Sequence, residues 1–453
     1  MSATRAANVF VLGWPILVGQ IAVLGNGVID TIMAGQRSAA DLAVVGLGAS
    51  IYISIFVGFR GVLMGLTPIA AGHFGAGRLS EIGDDVGQTV WVALLLAACG
   101  IPLLLWTDPW LALIQPDPSL HDTLRGYLWV TATALPVTLL YSVFFTLNSA
   151  TSRPAVTMAI NLGALALKWP LNHLFMNGAD GWFAPMGAVG CAVSTAILAW
   201  ASLLIAMAVI TIDRRYREFH VRVRVPQIRK IAELLRIGLP IGGGYLIEVT
   251  SFTLMALLIG RFGTIASASH QVAANLATLL FMAPLALSNA TSILAAQALG
   301  SHDEAKARAW VFAGMRLVMG IAVCLSLVLL IFHSSIAKLY AENPQVQSFA
   351  ETLIIMAAIC HILDALQCLL YSSLRAWRIT FTPMLVYGVS LWGLGIGAGW
   401  VIANTFFTPG PSAAQGFWIG NFSGLAMACL GLAFLLRRRF LDPVTTVKPQ
   451  LVD

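Results

Sequence analysis

Along this chain, apolar stretches as long as a membrane-crossing helix alternate with short polar breaks. Such a helix needs about 20 consecutive apolar residues. Runs of that kind fall near 10–35, 46–72, 86–106, 124–150, 155–178 and 187–211. After a basic connector they resume near 238–260, 272–297, 309–332, 349–373, 382–404 and 416–436. The pattern predicts an all-α integral membrane protein with twelve transmembrane helices. The runs are far longer than the alternating segments, roughly ten residues each, of a membrane barrel. The first run follows Arg5, as in a signal peptide. It continues through Pro15 to Gly35 with no convincing cleavage site, so it reads as an uncleaved first helix.

Composition agrees with this reading. Of 453 residues, 58% are hydrophobic and 10% are charged, against about 25% charged in soluble domains. The six cysteines (Cys99, Cys191, Cys324, Cys360, Cys368, Cys429) lie in or at the ends of apolar runs, without metal-like spacing. They read as small core residues. A net charge of +6 would suit nucleic acid, but the basic residues sit in the short breaks between runs. The segment 212–236 holds Arg214, Arg215, Arg217, Arg222, Arg224, Arg229, Lys230 and Arg236, and the tail holds Arg437, Arg438, Arg439 and Lys448. The even-numbered breaks add Arg78, Arg153, Lys306, Arg308, Arg375 and Arg378, whereas the odd-numbered ones offer mainly Arg37, Arg261 and Lys338. This bias is an orientation signal, and it puts both termini and the connector in the cytoplasm. No nucleic-acid partner is expected.

The two halves repeat. Gly13-Trp14-Pro15-Ile16 recurs as Gly238-Leu239-Pro240-Ile241, an offset of 225 from Pro15 to Pro240. The same offset carries Gly35 onto Gly260, Ala70-Ala71 onto Ala295-Ala296, Gly75 onto Gly300 and Arg153 onto Arg378. Six spans per half is an even number, so the halves share one orientation, related by an axis along the membrane normal. The expected organisation is a six-helix lobe over 1–211, a cytoplasmic connector over 212–236, a second six-helix lobe over 237–440 and a tail over 441–453. Transporters often have this build.

An ionised side chain at the bilayer centre costs about 2.5–3.5 kcal/mol on insertion scales, which makes it a functional candidate. Of twenty acidic residues, Asp30, Glu248 and Asp364 lie well inside the runs, as do the basic Arg60 and Lys168. The repeat does not pair the acids: at the common offset Asp30 meets Met255, Glu248 meets Val23 and Asp364 meets Leu139. They are additions to a symmetric scaffold. Burial favours the protonated carboxyl, and an arriving cation favours the charged one. One buried acid can therefore exchange a proton for a cationic substrate, or bind sodium if other oxygens complete its shell. The blander reading has each acid bonding only a neighbouring hydroxyl, Thr31 or Thr250. His361, one turn before Asp364, is either a proton relay or a satisfied core histidine. The in-span prolines, Pro15, Pro68, Pro136, Pro170, Pro240, Pro284 and Pro383, mark bends.

At these residues the chain resembles the multidrug and toxic compound extrusion (MATE) transporters of the MOP superfamily, in their NorM-like bacterial branch. The resemblance spans nearly the whole chain. Its most specific pieces are Val28 to Gly35 (VIDTIMAG), Glu248-Val249-Thr250, and Asp364-Ala365-Leu366-Gln367 followed by Ser373-Leu374-Arg375. Pro170-Leu171-Asn172 and Gly187 to Ala192 also fit. It implies two six-helix lobes in a V around a central cavity, in a bacterial inner membrane, acting as a monomer. It implies export of small organic cations and aromatic drugs against entry of protons or sodium, with no cofactor. Glu248 and Asp364 match the family's second-lobe cation site, where sodium would bind, and Asp30 belongs to a first-lobe site that includes the Asn172 region. There are departures. Lys168 stands where the family usually has asparagine; its ammonium either opposes a sodium ion in the first lobe or pairs with Asp30. Cys360 replaces a tyrosine often found one turn before Asp364.

Other classes fit less well. A flippase for a lipid-linked saccharide is the alternative, but its cavity carries several basic residues, and here only Arg60 and Lys168 qualify. The loop His73 to Arg78 lacks the charged signature of a major facilitator. No clustered His, Asp or Ser has the spacing of a membrane-embedded enzyme, and no nucleotide-binding loop supports direct ATP drive.

Overall fold

The computed structural model describes residues 2–179, 182, 184–408 and 410–441. Its elements are helical, with no extended strand among the described residues. The first half runs through α1 (Ser2–Arg37), α2 (Ala39–Leu63), α3 (Leu66–Gly75), α4 (Leu79–Leu105), the short α5 (Asp108–Ile114), α6 (His121–Ala150), α7 (Pro154–Asn177) and α8 (Ala188–Ile212). A one-turn α9 (Arg214–Arg217) lies in the connector. The second half has α10 (Ile228–Gly260), α11 (Thr264–Gly300), α12 (Glu304–Tyr340), α13 (Pro344–Ala376), α14 (Phe381–Tyr387), α15 (Gly399–Thr405) and α16 (Ala414–Leu441). A π-helical stretch, Gly388–Ala398, joins α14 to α15 and makes one span of the three.

Eleven helices among the described residues are long and apolar enough to cross a membrane. The remaining expected span, 155–178, is the 24-residue α7, whose Asn161, Lys168, Asn172 and His173 dilute its apolar character. The protein is a multi-pass membrane protein. Several helices outrun their apolar runs: α10 starts inside the basic connector, and Arg437, Arg438 and Arg439, expected in the tail, belong to α16. Arg439 and Arg308 converge on Glu304, at 3.3 and 3.2 Å. The rest of the expected tail lies outside the described residues. The cysteine expectation holds for four positions only, because Cys99 and Cys324 are exposed.

The chain packs as two compact units. One is Trp14–Leu246; the other joins the residues up to Gly13 with those from Ile247 on. Within Trp14–Leu246, α6 is the hub against α2, α3, α4, α7 and α8; within the other unit, α13 packs on α11, α12 and α16. The repeat is visible in the backbone. The turns after α3 and α11 place Gly77 and His302 in the left-handed region, at φ 72 and 59°, and 302 − 77 is again 225. Helix α4 starts at Leu79 and α12 at Glu304, also repeat mates.

The connector is folded onto α4. A Cβ built on Gly83 or Gly87 would collide with the carbonyl oxygen of Phe219 or Arg222, so the connector backbone lies directly on this glycine face. Gln88 grips it with both amide ends, donating to the Val225 carbonyl at 3.2 Å and accepting from the Gln227 amide at 2.7 Å. Trp91 donates to the Arg224 carbonyl at 2.8 Å. Tyr216 is buried between Phe144 and Phe219 and donates to Asn148 at 2.5 Å. Burial pushes its phenol pKa up and keeps it a donor. The arginine count reads as charge alone; a glycine pair four residues apart on α4 was the available sign of this backbone contact.

Candidate functional site

In the unit Trp14–Leu246, α1 and α7 bring Asp30 against Lys168 and Asn172. Lys168 and Asn172 are four residues apart and so share one face of α7. The Lys168 ammonium lies 2.8 Å from Asp30 Oδ1, and Asn172 Nδ2 donates to the same oxygen at 2.6 Å. The ammonium also donates to Thr195 Oγ1 at 2.5 Å and Ser194 Oγ at 3.2 Å, on α8. Ser194 in turn donates to Asn172 Oδ1. The hydrogen bonds close a ring: Lys168 to Ser194, to Asn172, to Asp30, and back to Lys168. All three ammonium protons have acceptors, as a buried ammonium requires. Lys168 is 1% exposed, Asn172 0% and Asp30 9%. Thr31 takes no part, because its hydroxyl turns to the Gly27 carbonyl at 2.9 Å. Of the two readings of Lys168, the geometry selects pairing with Asp30.

The other unit holds Glu248 on α10 and Asp364 on α13. Both are half-buried, and each carboxylate lies within electrostatic reach of the other. Among the described residues neither has an ion-pair partner. Gln367, one turn along α13, donates to Asp364 Oδ1 at 2.9 Å. Its own carbonyl oxygen is buried and has no hydrogen-bond partner among the described residues. Tyr387 and Cys368 lie within electrostatic reach of both acids. Tyr371 packs its ring 4.7 Å from that of Tyr387. Two carboxylates with a spare amide oxygen form a hard-oxygen donor set, which suits a proton or an alkali cation rather than a soft metal. Sequence reasoning missed Gln367; its position one turn after Asp364 was the available signal.

His361 is buried on α13, 3% exposed. Its Nε2 has no hydrogen-bond partner among the described residues, so it is neither a satisfied core histidine at that nitrogen nor bonded to Asp364. The six predicted site residues thus fall into two groups: Asp30, Lys168 and Asn172 in one closed ring, and Glu248 and Asp364 together in the other unit with His361 one turn away.

The repeat has its counterpart in known proteins. The sequence profile of the MatE family matches residues 15–174 and 240–401, two segments that begin at the repeat mates Pro15 and Pro240. A probable multidrug resistance protein NorM of Aromatoleum aromaticum is 36% identical, over 96% of this chain and 95% of its own. The multidrug resistance protein NorM of Vibrio cholerae is 34% identical, over 94% of each. The crystal structure of the Vibrio cholerae MATE transporter VcmN in the bent form shares the fold, with a TM-score of 0.86 at 18% identity, over 97% of this chain and 99% of that one. The family is one of membrane transporters that work without a cofactor, and the match runs through both halves of the sequence: this chain belongs to the MATE family.

Proposed function

We propose that this protein is a secondary antiporter that exports lipophilic organic cations in exchange for protons or sodium ions, and that Glu248 and Asp364 carry the exchange. The observation behind this is the asymmetry of the buried charges. Asp30 already has a cation, Lys168, and three helices close around the pair. Glu248 and Asp364 have none among the described residues and keep accessible surface. Two neighbouring carboxylates in a low-dielectric interior need a proton or a cation to balance them. Whichever arrives displaces the other, and that competition couples the two fluxes. Gln367 holds Asp364 in place and offers its free oxygen to a bound cation.

The setting is a bacterial inner membrane, with both termini and the connector on the cytoplasmic side. The lysine and arginine bias supports that orientation. The transporter works as a monomer with two lobes, 1–211 and 237–440. The flippase reading loses ground, because Lys168 is committed to Asp30 and leaves Arg60 as the one free in-span cation named for it.

The test is dye efflux from proteoliposomes under separately imposed proton and sodium gradients. Glu248→Gln and Asp364→Asn should insert normally and lose gradient-driven efflux. Wild-type rates in both variants would remove these acids from the coupling step.

A further inference from the structure

The connector is held to α4 by its backbone, which leaves its side chains for something else. The carbonyls of Phe219, Arg222, Arg224 and Val225 lie against Gly83, Gly87, Trp91 and Gln88. Over this stretch apolar and basic residues alternate: Val221, Arg222, Val223, Arg224 and Val225, followed by Ile228 and Arg229. The apolar members are not packed. Val223 is 56% exposed, Val225 80% and Ile228 85%. Leaving such side chains in water forfeits about 1.5–3 kcal/mol each relative to full burial, so a neighbouring apolar row marks an interaction surface. The basic members are exposed beside them. Arg224 reaches Asp84 at 3.6 Å, while Arg222 and Arg229 have no ion-pair partner among the described residues. Across 212–236, eight lysines and arginines face only Asp213, Glu218 and Glu233.

Helix α4 fixes the level of this face relative to the membrane. Trp91, whose indole donates to the Arg224 carbonyl at 2.8 Å, lies in the second turn of the apolar run that begins near residue 86. A tryptophan at the end of a span belongs to the layer where headgroups meet acyl chains. The strap beside it lies at the same level. There, valine and isoleucine meet acyl carbons, and an arginine turns its head to the phosphates. The guanidinium fork matches a phosphate bidentately. A nucleic acid or an acidic protein segment would satisfy the arginines and leave the valines in water. An anionic phospholipid satisfies both.

We propose that the outer face of the connector is a docking surface for anionic phospholipid, with Arg222 and Arg229 on the headgroup phosphate and Val223, Val225 and Ile228 among the upper acyl carbons. The connector is then an interfacial strap, fixed to α4 on one side and to the lipid on the other. This goes beyond the proposed export function and does not depend on which ion or substrate the protein carries.

The experiment uses native mass spectrometry of the purified full-length protein to compare binding of phosphatidylglycerol and phosphatidylcholine, each added to the detergent micelles at matched concentrations. Wild type should prefer phosphatidylglycerol. Arg222→Gln combined with Arg229→Gln should lower that preference about tenfold or more, because each arginine near an anionic surface contributes roughly fivefold. Arg437→Gln combined with Arg438→Gln removes the same charge from the end of α16 and should leave the preference within about twofold. Val223→Ser combined with Val225→Ser should weaken phosphatidylglycerol while every arginine stays in place. Melting in lipid-free detergent reports whether each variant is folded. If the glutamine pair does not fold, Arg222→Lys with Arg229→Lys takes its place, and loss of the fork should still lower the preference. Wild type without a preference overturns the proposal, as do equal losses in the connector and α16 pairs, or a valine pair that binds like wild type. Displacement of phosphatidylglycerol by millimolar inorganic phosphate or by a short acidic peptide would give the face to a soluble partner and overturn it too. The assay involves no transport, so a failure of the coupling assignment leaves it intact.

Discussion

The Lys168 ammonium lies 2.8 Å from the Asp30 carboxylate, inside a ring of hydrogen bonds that runs through Ser194 and Asn172. That relationship divides the buried acids of a symmetric scaffold. Asp30 has Lys168 as its counter-ion, while Glu248 and Asp364 have no ion-pair partner among the described residues.

Breaking the pair from one side should therefore cost more than breaking it from both. Lys168→Met leaves a buried carboxylate unpaired, and Asp30→Asn leaves a buried ammonium unpaired. Each is expected to lose about 3–5 kcal/mol of stability, whereas an ion pair replaced as a whole is often nearly neutral. The double variant should recover most of the loss. Thermal melting of the three purified proteins checks this, and single variants that melt like wild type would show that the ring is not closed in solution.

Gln367 offers a second measurement. Its amide donates to Asp364 while its carbonyl oxygen has no partner among the described residues. Gln367→Leu removes both the positioning contact and the spare ligand oxygen. A contact to a charged group contributes about 1.5–3 kcal/mol, so the ion concentration for half-maximal efflux should rise about tenfold or more. Insertion and melting temperature should change little. An unaltered ion dependence would leave Gln367 as scaffold only.

Hydrophobic periodicity and the repeat made the spans and their symmetry legible, because each rests on local composition. The candidate acids were legible for the same reason: a charge in an apolar run is conspicuous. What depended on packing was not. The sequence leaves Lys168 two roles, and only the approach of α1 to α7 and α8 selects between them. The connector reads as charge, yet its backbone is held by Gln88 and by the glycine face of α4, through contacts 137 and 139 residues apart in the chain. The π-helical stretch Gly388–Ala398 also escaped an apolar count. Its backbone is set by close packing on α16, where a Cβ on Gly424 would sit 2.6 Å from the Ser390 carbonyl oxygen.

The grip on the connector predicts protease resistance. Arg222 and Arg224 have their carbonyls against Gly87 and Trp91, so cleavage after them requires local opening. Gln88→Leu removes two hydrogen bonds to the connector backbone, each contributing about 1 kcal/mol. An arginine-directed protease should then cut the 212–236 segment about tenfold faster or more. In membrane vesicles of known sidedness, protection or cleavage also reads which face carries the connector. Equal cutting rates in wild type and Gln88→Leu would count against the docked arrangement.

The repeat itself makes an asymmetric prediction. Gly13 and Gly238 are mates at the offset of 225, and so are the residues they pack on, Leu287 and Val62. The partners differ in what they present. A Cβ on Gly238 would overlap the Val62 carbonyl oxygen, a backbone atom that cannot move without shifting α2. A Cβ on Gly13 would meet Leu287 Cδ2 at 2.7 Å, the end of a flexible side chain. Overpacking that cannot relax costs about 1–3 kcal/mol or more, and a leucine that changes rotamer absorbs most of the strain. Gly238→Ala should therefore lower the melting temperature and the yield of folded protein, while Gly13→Ala stays close to wild type. Equal effects at the two sites would mean that the helices separate freely at both crossings, and that this contact does not fix α10 against α2.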